Sequence, residues 1–267
     1  MRSAPSFGAS FLLLERLGGT FRTHFQTHNA AFGEKSQGLL VGIGIREVSV
    51  AGRLLAIGDI HGCRTALEAL LDDVNPTTED TLVTLGDYVD RGPDSRGVIE
   101  TLLCLSRYTN LVAILGNHEE MMLHVLQSGQ GHQGWLQHGG VETLDSYGFS
   151  GDLDFLPDDH KRFFDSLGDY YVQDEFFFTH AAYDPELPLE DQPPELLRWH
   201  SLRSGIPGPH QSGKTAVVGH TASEEGEVLD ADYLICLDTW CYGGGWLTAM
   251  DLRTRQTWQA NQQGQSR

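Results

Sequence analysis

Short apolar runs alternate with segments of helical spacing in the middle of the chain. The runs 54–57, 81–85 and 111–115 are largely apolar, which is typical of strands buried on both faces of a sheet. Segments 64–74 and 95–108 between them repeat apolar residues at intervals of three and four, which predicts amphipathic helices. Alternation of strand and helix at this length predicts right-handed crossovers and therefore a parallel sheet.

The second half of the chain changes from helical to strand patterning near residue 168. Helices are predicted over 119–127, 133–147 and 158–167, and the runs 170–173 and 175–179 flank a tight turn, which predicts a hairpin. The Pro-rich, acidic stretch 181–209 is expected to be mostly loop, and further strands are predicted over 215–218, 233–237, 246–250 and 256–258. We therefore expect an α/β sandwich of two sheets with flanking helices, the second sheet being the more antiparallel.

The first fifty residues differ from the rest of the chain. They are rich in Gly, Ser, Thr and Phe and show no sustained helical or strand period, which predicts a disordered N-terminal extension over 1–50. A main domain then spans 51–260, with a helical cap region at about 120–167, and 261–267 form a tail.

Charge and composition narrow the classes of partner. The net charge of −19 becomes −21 when residues 1–50 are set aside, which argues against nucleic acid or an anionic membrane as the partner. It leaves phosphate substrates open, because bound divalent cations dominate the local field. No apolar run reaches the ~18–20 residues of a membrane span, and the run at 11–14 is shorter than the roughly 7–15 residues of a secretory signal. Four cysteines without C-x-x-C spacing predict reduced thiols in a cytoplasmic protein.

Polar residues with metal-binding potential follow the predicted strands. Three strings, GDIHG at 58–62, GDYVDRG at 86–92 and GNHE at 116–119, come directly after the first three strands, and two histidines end later ones. The carboxyl ends of strands are where open α/β sheets place their sites. The candidate ligands are Asp59, His61, Asp87, Asn117, His180 and His220. Their mix of carboxylate, amide and imidazole suits Mn²⁺, Fe or Zn²⁺ better than Ca²⁺.

The same strings supply the residues that phosphoryl chemistry requires. Asp87 is placed to bridge two metal ions, and such a pair ~3.5–4 Å apart generates hydroxide near neutral pH. Arg91 can contact two phosphate oxygens at once. His118 can protonate the leaving alkoxide, with Asp90 orienting its imidazole. We expect direct attack by metal-bound water, without a phosphoenzyme.

A purely structural explanation is the weaker one. A single string could be turn chemistry, with Asp59 capping the helix that begins at Arg64. Three strings in order, together with two strand-end histidines, exceed what turns require. Five of the other histidines of the main domain have no comparable context and are expected to be surface or hydrogen-bonded residues: His124, His132, His138, His160 and His210.

The three strings resemble the signature motifs of the phosphoprotein phosphatase family, the Ser/Thr protein phosphatases of the calcineurin-like metallophosphoesterase superfamily. The resemblance runs from about residue 54 to about 258, and it is greatest to compact bacterial members, including the stretches 135–148 and 238–247. It implies a two-sheet α/β sandwich of the metallophosphoesterase type whose catalytic domain spans 51–260. It also implies two divalent metal ions, Mn²⁺ with Fe or Zn as alternatives, and a phosphorylated protein or small phosphoester as substrate.

The resemblance also implies a role for each residue. One metal is held by Asp59, His61 and Asp87, and the other by Asp87, Asn117, His180 and His220. Phosphate is bound by Arg91, Asn117 and a second arginine, and His118 with Asp90 forms the acid pair. The family usually has His-Ala-Gly where this chain has His-Ala-Ala at 180–182. In this family a second phosphate-binding arginine follows the proline-rich loop. The spacing in this chain favours Arg203 for that role, and Arg198 is the alternative.

Three other functions compete with this one. Hydrolases of dinucleoside tetraphosphates belong to the same superfamily, but they usually lack a carboxylate at the position of Asp90 and carry longer insertions. The segment 208–215 fits the ATP-binding pattern G-x-x-x-x-G-K-[ST] with Lys214, yet a strand-like run follows it where that loop needs a helix. An inactive scaffold is disfavoured because every candidate ligand is present.

Overall fold

A computed structural model describes residues 52–267, so the predicted N-terminal extension over 1–50 lies outside the described residues. Ten strands fall within this range. They are β1 Leu54–Ile57, β2 Thr81–Thr84, β3 Asn110–Ala113, β4 Tyr170–Gln173, β5 Phe176–Thr179, β6 Thr215–Val218, β7 Leu229–Asp230, β8 Leu234–Cys236, β9 Leu247–Asp251 and β10 Thr257–Ala260. Among the described residues, no helix has the length and apolar character to cross a bilayer.

The strands form two five-stranded sheets. The first has the order β10-β9-β1-β2-β3, in which β1, β2 and β3 are parallel and β9 is antiparallel to its neighbours. The second has the order β4-β5-β6-β8-β7, with β5, β6 and β8 parallel and both edge strands antiparallel. The prediction of a more antiparallel second sheet is therefore wrong. The long connection after β5 acts as a crossover, so β6 runs parallel to β5. After β6 the chain first forms the edge strand β7 and then turns back as β8, which places β8 parallel to β6.

Helices cover the outer face of the first sheet, and one short helix packs on the second sheet. Seven α-helices are described: α1 Arg64–Val74, α2 Ser95–Leu105, α3 Asn117–Ser128, α4 His132–Trp135, α5 Val141–Ser146, α6 Asp158–Asp165 and α7 Pro194–Trp199. In β1, Leu55 and Ile57 pack in the cluster under the helices, whereas Leu54 and Ala56 belong to the cluster between the two sheets. Side chains alternate between the faces of a strand, so β1 is buried on both sides. The predicted two-sheet α/β sandwich with flanking helices is confirmed.

The cap region departs from its prediction. Instead of one helix over 133–147, the chain forms α4, a π-helical turn at Leu136–Gly140, and α5. The break lies at Gly139, whose φ of 105° is outside the helical range. A Cβ at this position would lie 2.4 Å from the backbone nitrogen of Arg91. A tertiary contact therefore sets the kink, and the helical period alone does not reveal it.

Two other segments are more ordered than their patterns suggest. The stretch 181–209, expected to be mostly loop, contains α7 and two 3₁₀ turns, with Pro194 at the first position of α7. The segment 261–267, predicted as a tail, folds back through a bridge between Ala260 and Ser266. The guanidinium of Arg267 lies 5.0 Å above the ring of Trp246.

The ATP-loop segment lacks the structure that nucleotide binding requires. Strand β6 begins at Thr215, the last residue of this segment, so no helix N-terminus faces a phosphate site there. The ammonium of Lys214 donates to the carbonyl oxygen of Asp174.

All four cysteines are free thiols, and Cys104 is the exposed one.

Candidate active site

The six candidate ligands converge at the carboxyl ends of five strands. Asp59 follows β1, Asp87 follows β2 and Asn117 begins α3 after β3, while His180 and His220 follow β5 and β6. The backbone N–H of His220 donates to both carboxylate oxygens of Asp59, at 3.1 and 3.0 Å, although 161 residues separate them. The edges of the two sheets therefore meet at one site.

Asp87 lies between two groups of ligand atoms. Its Oδ2 is 3.4 Å from His61 Nε2 and 4.0 Å from His118 Nε2. Its Oδ1 is 3.4 Å from His180 Nε2. The ligand atoms of each group, His61–Asp87–His118 and Asp87–His180–His220, lie within 4.8 Å of one another. One carboxylate oxygen thus faces each group, which is the arrangement that a bridging carboxylate requires.

Asn117 completes the second group. Its Oδ1 lies 2.9 Å from His180 Nε2 and 3.0 Å from His220 Nδ1. The other ring nitrogen of each histidine faces a carbonyl oxygen: His180 Nδ1 lies 2.7 Å from the oxygen of Leu85, and His220 Nε2 lies 3.1 Å from that of Trp199. Backbone contacts of this kind fix the ring orientation of metal-ligating histidines.

Burial and neighbouring charges set the protonation states. Burial lowers the pKa of His61 and of His180, and burial together with His180 lowers the pKa of His220 to about 4. These imidazoles are therefore neutral near pH 7, which is the form that binds metal. Burial favours the neutral form of Asp87, but the histidines around it outweigh burial and lower its pKa.

The donor set fits two divalent cations. Burial raises the pKa of Asp59 well above its ordinary range, and the nearby carboxylates of Asp238 and Asp87 raise it further. Burial likewise raises the pKa of Asp238 to about 6. Three buried carboxylates beside neutral imidazoles are costly unless positive charge compensates them. Two nitrogen–oxygen groups that share Asp87 supply both the ligands and the negative charge that a pair of divalent ions needs.

Backbone strain is concentrated at the same place. Ten non-glycine residues among 52–267 have positive φ, and five of them belong to the site: His61, Asp87, Asp90, Arg91 and His220. Such conformations persist only where surrounding contacts enforce them, and they cluster at functional sites. One close approach explains a glycine of the third string, because a Cβ on Gly116 would lie 2.2 Å from Asp87 Oδ1.

Glu119 holds the strained loop that carries Asp87. Its Oε2 accepts the backbone N–H of Asp87 at 2.9 Å and of Gly116 at 3.1 Å, and its Oε1 accepts those of Tyr88 and Val89 at 2.7 and 3.1 Å. The Glu119 side chain is fully buried. Four buried donors therefore depend on one carboxylate.

Replacing Glu119 with Gln should destabilise the protein and weaken metal retention. A side-chain amide has one accepting oxygen, so two backbone N–H groups lose their acceptor, at about 1–3 kcal/mol each. We expect a lower unfolding temperature and a lower metal content after gel filtration. Glu100→Gln is the control, since Glu100 is exposed on α2 and bonds Arg96. Equal melting temperatures for Glu119→Gln and the wild type would contradict this role.

His118 belongs to the first group, and Asp90 and Arg91 lie beside it. Asp90 Oδ2 is 2.7 Å from His118 Nδ1. Arg91 Nη1 is 3.3 Å from His61 Nε2, and its guanidinium carbon lies 4.4 Å from the centre of the Tyr242 ring. The first group thus contains an imidazole that is paired with a buried carboxylate, and a stacked guanidinium borders the group.

The two candidates for the second arginine bond groups outside the candidate ligand set. Arg203 is largely exposed and donates to the carbonyl oxygen of Ala222 at 2.7 Å. Arg198 donates to Asp169 and Glu120. Within residues 52–267, neither guanidinium makes a hydrogen bond to a candidate ligand.

The other histidines stand apart from the ligand set. His124, His132 and His138 are exposed. The two buried ones have hydrogen-bonding partners: His160 Nδ1 lies 2.7 Å from the hydroxyl of Tyr147, and His210 Nδ1 lies 2.7 Å from that of Ser212. Their positions agree with surface or structural roles.

Sequence reasoning missed three residues of the site. Asp238 follows β8 at the same sheet edge as the candidate ligands, so the strand-end rule that selected those residues also points to it. Trp135 and Thr143 both donate to the carboxylate of Asp90. They lie in the stretch 135–148, which the sequence marked only through its resemblance to bacterial phosphatases.

A match to a known protein family covers the region that contains the site. The profile of the calcineurin-like phosphoesterase family matches residues 52–246. The chain belongs to this family. The match covers every candidate ligand of this phosphoesterase, and it confirms the superfamily that the three strings indicated.

Individual relatives of the phosphoesterase differ in substrate. It is 46% identical over 79 residues, 29% of its length, to a symmetrical bis(5'-nucleosyl)-tetraphosphatase of Delftia acidovorans. It is 42% identical over 85 residues, 32% of its length, to serine/threonine-protein phosphatase 1 of Salmonella typhimurium. The matched segments span 26% and 37% of those relatives. A solved structure described as a putative diadenosine tetraphosphatase aligns with a TM-score of 0.59 and 25% identity, covering 79% of this chain and 94% of that one.

Proposed function

We propose that this phosphoesterase hydrolyses phosphomonoesters, with phosphoserine and phosphothreonine in proteins as its substrate class. In this proposal Asp59, His61 and Asp87 hold one divalent ion, and Asp87, Asn117, His180 and His220 hold the other. When bound, the ions acidify the attacking solvent molecule and neutralise charge on the phosphoryl oxygens. Mn²⁺ is the proposed metal, with Fe and Zn as alternatives.

Arg91 and Asn117 bind the phosphoryl group in this proposal. The guanidinium of Arg91 presents paired N–H donors that match two phosphate oxygens. Its stacking on Tyr242 restrains the side chain where it borders the first group of ligands. Strained backbone at Asp90 and Arg91 supports a fixed rather than a mobile contact.

The His118–Asp90 pair is the observation that carries the choice of substrate. With Nδ1 held by Asp90, the Nε2 of His118, which lies 4.0 Å from Asp87 Oδ2, is the nitrogen that can donate a proton to the leaving oxygen. The alkoxide of serine or threonine is strongly basic and departs only if it is protonated. A nucleoside polyphosphate leaving group is weakly basic and needs no such acid. The pair therefore supports alkyl phosphomonoesters over anhydrides.

Hydrolysis of dinucleoside tetraphosphates is the second candidate, and the names of several relatives favour it. Such a substrate carries a long polyanion that needs several cations along its length. Among residues 52–267, Arg91 is the arginine that makes a hydrogen bond to a candidate ligand, and the chain as a whole is acidic. These features favour a substrate with a single phosphoryl group.

A substrate panel tests the proposal. Phosphoserine, phosphothreonine and phosphotyrosine peptides, a dinucleoside tetraphosphate and p-nitrophenyl phosphate are compared under matched Mn²⁺, Fe²⁺ and Zn²⁺. We expect the highest kcat/KM for the phosphoserine and phosphothreonine peptides with Mn²⁺. A higher kcat/KM for the dinucleoside tetraphosphate would assign the second candidate instead. Absence of hydrolysis with every metal would favour an inactive scaffold.

A further inference from the structure

The carboxylate of Asp90 is enclosed by the cap region. The side chain is fully buried, and its two oxygens face three donors. Trp135 Nε1 lies 3.0 Å from both oxygens, and Thr143 Oγ1 donates to Oδ1 at 2.7 Å. Only Oδ2 faces the imidazole of His118. The orientation of this carboxylate is therefore set by residues 45 and 53 positions further along the chain.

Thr143 contacts the backbone of Asp90 as well as its side chain. The N–H of Asp90 donates to Thr143 Oγ1 at 2.8 Å and to Ser95 Oγ at 3.1 Å, and the two hydroxyl oxygens are 2.9 Å apart. One consistent assignment lets Ser95 donate to Thr143, which leaves the Thr143 proton for Oδ1 of Asp90. The hydroxyl of Thr143 thus joins both ends of a residue whose φ is 71°.

The kink in the cap region sets the positions of Trp135 and Thr143 relative to Asp90. The carbonyl oxygen of Gly139 accepts the N–H of Arg91 at 3.2 Å. Gly140 lies against Trp135, where a Cβ would be 2.6 Å from the indole ring. The π-helical turn therefore anchors the phosphate-binding arginine through its backbone and places the indole N–H against the neighbouring carboxylate.

We propose that Trp135 and Thr143 are positioning residues that hold Asp90 so that its Oδ2 orients His118 for proton transfer to the leaving group. This inference rests on the proposed function, because it concerns the proton donor of that reaction. It adds two residues of the cap region to the machinery of the site. Loss of either donor lets the carboxylate rotate, so that the Nε2 of His118 no longer points at the leaving oxygen.

A misdirected acid has a selective effect on the reaction. Rates should fall for substrates whose leaving group needs a proton and change little for those whose leaving group departs as an anion. For Trp135→Phe and Thr143→Val we expect kcat on a phosphoserine peptide to fall about ten- to a hundredfold, and kcat on p-nitrophenyl phosphate to fall less than about threefold. Thr143→Ser keeps the hydroxyl and should restore the peptide rate.

Tyr147→Phe is the matched control. It removes a buried hydroxyl from the same cap region, but that hydroxyl bonds His160 and does not contact Asp90. Both rates of this variant should stay within about threefold of the wild type. Thermal melts and metal content identify any variant that has lost its fold, and the Ser and Val replacements of Thr143 keep the test valid if Trp135→Phe unfolds.

The outcomes separate this inference from the proposed function. Equal losses on both substrates, or no loss on either, in a folded Thr143→Val protein would overturn the positioning role. If His118→Asn discriminates between the substrates while Thr143→Val and Trp135→Phe do not, only the positioning role fails. If His118→Asn itself does not discriminate, the proposed acid fails, and the positioning role falls with it.

Discussion

Asp87→Asn should remove activity almost completely, with a loss in kcat/KM of about a thousandfold or more. The two oxygens of Asp87 face different groups of ligands, and an amide has one oxygen that can bind a cation. The substitution also removes a negative charge that four histidines surround. Because the side chains have nearly the same shape, the fold should persist. Elemental analysis of the purified variant should show less metal than the wild type.

Thermal stability provides a second measurement for the same variant. A ligand that binds the folded state raises the melting temperature, so Mn²⁺ should stabilise the wild type more than Asp87→Asn. In the absence of metal, the variant should be less stable than the wild type near pH 7, because the pKa of Asp87 is lowered and its charged form therefore stabilises the folded state. A merely structural role for Asp87 predicts that Mn²⁺ raises the melting temperatures of both proteins equally.

Asp80→Asn is the matched control for Asp87→Asn. Asp80 is buried but bonds Arg53 and the backbone N–H of Thr77, and these contacts outweigh burial and lower its pKa to about 2. Its replacement should lower the melting temperature and leave metal content unchanged. Wild-type metal content and rate in Asp87→Asn would overturn the assignment of Asp87 as the shared ligand.

The sequence is sufficient to predict that the candidate ligands converge, because their positions follow one geometric rule. Each of Asp59, Asp87 and Asn117 comes directly after a strand of one parallel set, so the sheet brings them to a common edge. The same rule applies to His180 and His220 in the second sheet. Strand periodicity is a local property, and a local pattern is enough to place these residues.

The environment of Asp90 could not be predicted in this way. Trp135 and Thr143 reach it across a kinked helix, and the kink depends on the contact between Gly139 and Arg91. Helical periodicity over 133–147 predicts a continuous helix and does not reveal the break at Gly139. The strand directions in the second sheet were also predicted wrongly. The length of a connection does not by itself determine whether the next strand runs parallel or antiparallel to the previous one.

His118→Asn should separate substrates by the basicity of their leaving groups. General acids contribute about 10²–10⁴-fold to the transfer step, and this contribution is lost when the imidazole is removed. We expect a loss of that size in kcat for a phosphoserine peptide and a much smaller loss for p-nitrophenyl phosphate. Steady-state kinetics on both substrates, with the metal content of each preparation measured, gives the ratio directly. A plot of log kcat against leaving-group pKa should become steeper in the variant.

His138→Asn is the control that makes this result specific. The His138 ring lies 6.5 Å from that of His118 at the exposed side of the cap, and its Nδ1 bonds the carbonyl oxygen of Gly134. Because His138 does not contact Asp90, its replacement should leave the ratio of the two rates within about threefold of the wild type. If His138→Asn changes the ratio and His118→Asn does not, the proton comes from the cap histidine, and the buried pair has only a structural role.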